Sequence, residues 1–506
     1  MIVKNRMNFK QVKMTNSSLP SQLIAIALSI LTAIPLSALA AGNAGSDQLV
    51  TVSPHRLLVL TDIEADPDDA QTLVRLLLYS NQIDLEGLIA TTSVHQKTMV
   101  APESILEIIE AYGKVSANLA QHERGFPQAD RLEALVKRGL PVYGMQGVGP
   151  DKDSEGSDWI IKVLERKDNR PLWISVWGGA NTLAQALYTL KATRDDDELK
   201  HLIDKLRVYT ISDQDDSAAW IRKNFPDLFY IVSPGGYGAS TWTAINMVVD
   251  GIDNTTISNQ WLAENIQQSH GPLGTKYRDV AYGMEGDTPS WLNLIPNGLS
   301  NPEHPEWGGW GGRYELYVPR LEDIDPNGFT GGVPVEPEFR PIWTNATDKY
   351  TPPAPSAYGR SLKPGEKTFN GYRTTLWRWR DEFQNDFAAR LDWTILSFDK
   401  ANHPPIPVLK HPESFSVESG NSFHLDARGS YDPDGDSLSF WWFNYPEAGS
   451  MKNQEVKIDS AENMIRVHVV APDVKKSEEL HFILKVTDRG APPLTRYKRV
   501  KVTVTP

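Results

Sequence analysis

Leu57-Leu58-Val59-Leu60-Thr61-Asp62-Ile63-Glu64-Ala65-Asp66-Pro67-Asp68-Asp69-Ala70 is the stretch that decides the fold. Its four consecutive apolar residues read as a strand covered on both faces, and residues 70–79 have helical spacing. A second apolar run over 85–92 completes a β–α–β unit. The alternation continues with helices expected over 102–112, 180–190 and 218–225, and strands over 172–177, 206–211 and 228–232. The expected fold class is therefore α/β, with a doubly wound, mostly parallel sheet.

Between the first strand and the first helix stand five carboxylates within eight residues: Asp62, Glu64, Asp66, Asp68 and Asp69. Like charges this close raise one another's pKa unless a cation or hydrogen-bond donors neutralise them. A hard cation with several oxygen ligands is the simplest remedy, and calcium tolerates the irregular geometry of a loop. The alternative is that Asp68 and Asp69 only complement the positive end of the helix, with the other acids solvated.

Ligands of doubly wound sheets bind outside the carboxyl ends of the strands, which singles out the polar segments 91–96, 177–181 and 212–216. Residues 280–370 turn to Gly, Pro and Trp, as in Trp307-Gly308-Gly309-Trp310-Gly311-Gly312, and read as long loops capping the sheet before a helix over 374–396. His403-Pro404-Pro405-Ile406-Pro407 marks a Pro-rich hinge over 401–407, which separates an α/β domain (55–400) from residues 408–506. The alternating runs Ser439-Phe440-Trp441-Trp442 and Phe482-Ile483-Leu484-Lys485-Val486 make that last part a small all-β, immunoglobulin-like sandwich. Only one of the neighbouring Trp441 and Trp442 can face its core.

The first 46 residues hold Lys4, Arg6, Lys10 and Lys13 and no acid, then come an apolar run over 23–36 and Ser37-Ala38-Leu39-Ala40. This pattern reads as a signal peptide over 1–40 followed by a flexible 41–54, hence a periplasmic or secreted protein with no membrane association after cleavage. A membrane anchor is the alternative, against which stand the short run and Pro35. The net charge of −13 disfavours binding to phosphate backbones, so no nucleic-acid partner is expected. With no cysteine in the chain, disulfides, thiolate nucleophiles and zinc–cysteine sites are excluded, and any metal is held by oxygen or imidazole.

The acidic stretch resembles the nucleoside hydrolase superfamily, whose signature Asp-x-Asp-Pro-Gly-x-Asp-Asp-Ala falls without gaps on Asp62, Glu64, Asp68, Asp69 and Ala70. The resemblance implies a calcium site built from Asp62, Glu64 and Asp69. It also implies that Glu64 takes the proton of the attacking water and that Asp68 holds a sugar hydroxyl. Here Glu replaces the second Asp of the signature, and Ala65-Asp66 replaces Pro-Gly. Further matches follow in order. Thr91-Thr92-Ser93-Val94-His95-Gln96 puts Gln96, with His95 beside it, where a sugar-binding Asn is expected. Val142-Tyr143-Gly144-Met145-Gln146-Gly147-Val148-Gly149 is similar to the leaving-group loop but carries Tyr143 and Gln146 in place of His and Asp, so a nucleobase is disfavoured. Trp177-Gly178-Gly179-Ala180-Asn181 implies a calcium-binding carbonyl at Trp177 and a substrate contact at Asn181. Ser212-Asp213-Gln214-Asp215-Asp216 implies sugar contacts from Asp213, Gln214 and Asp215. The nearest counterpart of the late metal aspartate is Asp287 in Glu285-Gly286-Asp287-Thr288-Pro289, with Glu285 a further substrate-binding candidate. A solvated loop acid is the other reading of Asp287.

The segments 285–299 and 379–390 resemble more closely a bacterial family of cellulose-binding proteins with a nucleoside-hydrolase-like domain. That likeness implies an oligo- or polysaccharide ligand, and the fold implies cleavage of an N- or O-glycosidic bond by activated water with inversion of configuration. Asp153 or Glu155 is the candidate acid for the leaving oxygen, unless the stretch 151–158 is an ordinary surface loop. Of the 15 tryptophans, Trp291, Trp307, Trp310, Trp377 and Trp379 are candidates for stacking on sugar rings or for core packing. Residues 425–436 resemble the opening of polycystic-kidney-disease-type sandwich domains, so Asp432, Asp434 and Asp436 either bind a second calcium or form an acidic turn. Two functions follow: a calcium-dependent glycosyl hydrolase acting on a plant or algal glycan fragment, and a non-catalytic carbohydrate-binding protein that retains the calcium site. An adhesion module accounts for the sandwich but not for the acidic cluster.

Overall fold

In the computed structural model, strand β1 (His55–Thr61) lies in the middle of an eight-stranded sheet. The structure describes residues 53–506 except 234–240, 321, 323–332, 334–335, 356–361, 366, 453 and 460–462. The expected signal peptide and nearly all of the expected flexible N-terminus therefore lie outside the described residues. Among the described residues no helix is long and apolar enough to cross a membrane.

The remaining strands are β2 (Ile83–Ala90), β3 (Val136–Arg138), β4 (Leu172–Val176), β5 (Leu206–Thr210), β6 (Phe229–Val232), β7 (Tyr314–Tyr317) and β8 (Ile342–Asn345). They are ordered β3-β2-β1-β4-β5-β6-β8-β7, parallel except for the β7–β8 pair at one edge. The apolar run of β1 is explained by burial on both faces: Leu57 and Val59 join one core layer, and Leu58 and Leu60 join the other. The first layer includes helices α1 (Asp68–Leu77) and α2 (Pro102–Gly113). The second includes residues of the helices Glu155–Leu164, Asn181–Thr193 and Ser217–Asn224.

The expected α/β elements are present within three residues of their sequence bounds. Three expectations are corrected. The segment 151–158 is not simply a loop, because Ser154 accepts the Ser157 N–H and caps a helix that starts at Glu155. The stretch read as capping loops contributes β7 and β8 to the sheet edge. The expected helix over 374–396 is two helices, Thr374–Trp377 and Arg380–Asp392.

The C-terminal residues form a four-stranded sheet ordered Ser414–Glu418, Thr495–Thr505, Glu478–Thr487, Ser439–Asn444, beside a three-stranded one. Trp442 is the core member of its pair. This part packs onto the α/β part: Tyr497 meets Trp379 edge-on at 5.8 Å, and the Arg499 guanidinium donates to the carbonyls of Leu299, Trp307 and Gly308. The Pro-rich stretch is held in place, with Ala401, Asn402 and His403 buried and Ile406 bridged to Tyr431.

Candidate metal-binding and carbohydrate site

The strand order reverses direction between β1 and β4, which is where doubly wound sheets open a crevice at their carboxyl edge. Asp62 follows β1 directly and is buried there, hydrogen-bonded by Ser93 from the segment after β2. The segment after β4 approaches it so closely that a Cβ on Gly178 would lie 2.7 Å from Asp62 Cγ. Only glycine fits at that position.

The chain then turns through Asp66 and Pro67 into α1, whose first turn carries Asp68 and Asp69, both buried. Thr61 Oγ1 donates to Asp69. The Asp68 N–H donates to Asp66 Oδ1 at 3.1 Å, and one oxygen each of Asp66, Asp68 and Asp69 lies within 4.8 Å of the others. Trp242 donates its indole N–H to Asp68 Oδ2 at 2.9 Å. A Cβ on Gly286 would be 2.0 Å from that indole nitrogen, so glycine lets the 285–288 loop lie against Trp242.

That loop delivers Asp287. Its neighbour Glu285 is fully buried and ion-paired with the fully buried Arg75 of α1. Glu285 also accepts from Tyr277 and Thr288, each at 2.9 Å, while its own N–H donates to Gln71 at 2.9 Å. Two residues further on, Asp287 is 2% exposed, and its Oδ1 is buried without a hydrogen-bond partner among the described residues.

Burial, together with mutual repulsion, raises the pKa of all four buried acids. Burial and the charge of Asp66 push Asp62 up despite the Ser93 hydrogen bond. Burial, then Asp66, Asp69 and Asp62, push Asp68 well above the usual carboxylate range, and burial with Asp62 and Asp66 does the same to Asp69. Asp287 rises through burial and the charges of Asp68, Asp69, Asp62 and Asp66. Charged carboxylates crowded this way need protons or a cation. The oxygen-only donor set and the orphaned Asp287 Oδ1 fit a hard divalent ion such as calcium.

Several residues assigned from the sequence have protein partners of their own in this structure. Glu64, expected as a ligand and proton acceptor, adopts φ 87° and turns its carboxylate to Arg278, with one contact at 3.0 Å. The Arg278 hydrogen bond holds Glu64 below its ordinary pKa, and Asp66 occupies the place in the cluster. The Trp177 carbonyl, expected on the metal, accepts from the Gln214 amide. Asp213 is bound by Arg222 at 2.9 and 2.7 Å, a structural ion pair that Glu338 shares. Asp215 sits under Gly179, where Ser217 N–H and Asn181 N–H donate to it, and burial lifts its pKa to about 6. Asn181 spends its amide on Thr92 and the Val142 carbonyl.

Glu285 is the loop anchor rather than a substrate contact, being sealed from solvent. Asp153 accepts from Gln185 and Thr189, and Glu155 is an exposed first-turn residue beside Lys137, so neither faces the cluster through these contacts. Trp291, Trp310, Trp377 and Trp379 are core residues, and the half-buried Trp307 stacks on His304 at 4.1 Å. Gln96 donates to the Ile63 carbonyl at 3.3 Å, and His95 is exposed, close enough for its charge to act on Asp62. In the C-terminal turn, Asp434 accepts from His403 rather than facing Asp432 alone.

Asp66 was counted in the acidic stretch but given no ligand role, and Trp242 and Arg278 were not singled out. Asp66 was visible as a departure from the signature. The other two stand in segments without a motif.

Comparison with known proteins agrees with this architecture. Residues 56–314 match the family described as "Cellulose-binding Sde182, nucleoside hydrolase-like domain", and residues 422–504 match "Cellulose-binding protein Sde0182, C-terminal domain". Among solved structures, a nucleoside hydrolase-related hypothetical protein from Saccharophagus degradans, associated with carbohydrate metabolism, is similar at 34% identity and a TM-score of 0.72. The alignment covers 89% of this chain and 100% of that one. Overlaps with a sialyltransferase from Photobacterium damsela (18% identity, 18% of this chain and 17% of that one, TM-score 0.13) and with the effector protein XOO4466 (10% identity, 57% and 87%, TM-score 0.27) are too slight to bear on fold or activity. No curated protein matches the chain. With its nucleoside hydrolase-like domain over 56–314 and the second family match following it, the chain belongs to the Sde182 cellulose-binding family.

Proposed function

We propose that the chain is an exported, calcium-dependent protein that cleaves a glycosidic bond in a glycan fragment. One observation carries the reading: Asp66, Asp68 and Asp69 bring oxygens within 4.8 Å of one another at the strand-order reversal, Asp287 lies within reach of their charge and that of Asp62, and a buried Asp287 oxygen has no partner among the described residues. The family's association with cellulose supports a carbohydrate as the ligand.

Asp62, Asp66, Asp69 and Asp287 would hold the ion. Bound there, it supplies charge neutralisation and Lewis acidity toward water or a sugar oxygen. Asp66 is half-buried, so it reaches both the cluster and solvent, and in place of Glu64 it takes the proton of the attacking water. Asp68, oriented by the Trp242 indole, accepts from a sugar hydroxyl. His95 stands at the exposed rim beside Asp62 and is the group placed to protonate the leaving oxygen, which departs poorly as an alkoxide. Direct attack of water on the anomeric carbon inverts its configuration.

A second reading, carbohydrate binding without turnover, is favoured by the turn of Glu64 toward Arg278. The test is release of reducing ends from cello-oligosaccharides and aryl glycosides by the calcium-loaded full chain and by Asp69→Asn, with oligosaccharide binding measured in parallel. Calcium-dependent release lost in Asp69→Asn is the expected result. Binding without release leaves the second reading, and neither binding nor release removes both.

A further inference from the structure

Far along the chain from the first cluster, three buried oxygens from three segments are left without partners among the described residues: Asn402 Oδ1, Asp432 Oδ2 and Asp488 Oδ2. Asp488 is 2% and Asn402 7% exposed, so water does not readily compensate either group. Their other polar atoms are fully used. Asp488 Oδ1 accepts from the Gly490 and Leu494 N–H groups and from Asn402 Nδ2 at 3.1 Å, and Asn402 Nδ2 also donates to the Pro492 carbonyl. Asp432 Oδ1 accepts the N–H groups of Asp434 and Asp436, which closes the acidic turn. His403 fastens the segment to that turn, donating its backbone N–H to Asp434 Oδ2 at 2.6 Å. A Cβ on Gly490 would lie 2.2 Å from Asn402 Cγ, so the chain leaves room for this amide alone. Burial raises the pKa of both Asp432 and Asp488, and the charge of Asp432 raises Asp488 further.

We propose that Asn402 Oδ1, Asp432 Oδ2 and Asp488 Oδ2 form a second calcium site, which clasps the segment after the α/β part to the C-terminal sheets. Two carboxylates and an amide carbonyl from separate loops make an all-oxygen, irregular donor set of the kind calcium accepts and magnesium, with its octahedral demand, does not. The site differs from the acidic turn alone, because Asp434 is committed to His403 and the missing donors come from Asn402 and Asp488.

The test uses the full chain carrying Asp69→Ala, which silences the first cluster, titrated with calcium chloride in a calorimeter after chelator treatment. One binding event should remain and weaken at least tenfold in Asp69→Ala/Asp488→Asn and, independently, in Asp69→Ala/Asp432→Asn. Both Asn variants keep the Oδ1 atom that accepts backbone N–H groups and exchange only the unpartnered oxygen for an amide nitrogen. In chelator each should melt no lower than its Asp69→Ala parent, and with calcium the parent alone should gain in Tm. The proposal is overturned if Asp69→Ala binds no calcium, or if both second-site variants bind it as their parent does.

Discussion

Glu285, the buried partner of Arg75, anchors the loop that carries Asp287 toward the cluster, and its removal tests that role. Glu285→Ala strands the Arg75 guanidinium in the core. Gln384, the Phe383 carbonyl and the Phe387 ring, 3.9 Å from Arg75 Cζ, still surround it, but none of them neutralises it. Removing one partner of a buried pair costs about 3–5 kcal/mol. An unfolding entropy near 2 cal/mol/K per residue, summed over a chain of this length, makes each kcal/mol worth roughly 1 °C, so Tm should fall by about 3–5 °C.

Scanning calorimetry of Glu285→Ala and Glu285→Gln, with calcium titrated into each, measures both consequences. The Ala variant should lose stability and calcium affinity together, because the loop bearing Asp287 is released. In the Gln variant the loss should be smaller, since the amide retains an acceptor for Tyr277 or Thr288. A Glu285→Ala protein that melts and binds calcium like the wild type, yet fails on carbohydrate, would refute the anchoring role and restore the sequence assignment.

Other expectations concern the cluster itself. Asp66→Asn should abolish calcium-dependent glycoside cleavage, while Glu64→Gln, which changes a residue engaged with Arg278, should leave most of it; the reverse order in an initial-rate assay returns the proton-acceptor role to Glu64. Trp242→Phe keeps an aromatic ring against Gly286 but removes the donor to Asp68, a hydrogen bond to a charged group worth roughly 1.5–3 kcal/mol, so kcat/KM should fall about ten- to hundredfold. In chelator, stability should rise as pH falls from about 6 toward the unfolded carboxylate value near 4. The sign follows because the buried acids, Asp215 at about 6 among them, bind protons more tightly folded than unfolded, so their ionisation penalty is present above the folded pKa and is relieved below it. Excess calcium should flatten that rise by binding the ionised cluster, and urea midpoints across this pH range with and without calcium read it directly.

The parallel sheet was legible because a run such as Leu57–Leu60 buried on both faces has no polar alternation to confuse it, and because β1, β4 and β5 are each followed by a helix within a short loop. Strands β7 and β8 were not legible. They lie in a Gly-, Pro- and Trp-rich region, are four residues each, and owe their pairing to the sheet edge already present. Trp291, Trp307 and Trp310 in that region, with Trp377 and Trp379 beyond it, stood between sugar stacking and core packing because composition cannot tell a core indole from an exposed one, and four of the five are core.

At the site, the signature located the carboxylates but not their orientation. With Ala65-Asp66 where Pro-Gly is expected, the turn gains a carboxylate, and Glu64, in the left-handed region at φ 87°, presents its longer side chain to Arg278. Arg278 lies more than two hundred residues away, so no local reading of the signature can find it. Arg278 draws Glu64 to the rim, and Asp66, which stands where the signature has Gly, supplies the third close oxygen of the cluster. The departures from the signature thus compensate one another: the chain keeps an acidic cluster able to hold a cation while moving one acid out to a solvent-facing ion pair. Arg278→Ala frees Glu64, leaves the cluster carboxylates in place and removes a positive charge that acts on Asp69, so it should alter carbohydrate affinity while changing calcium affinity by less than about tenfold, ~1.4 kcal/mol.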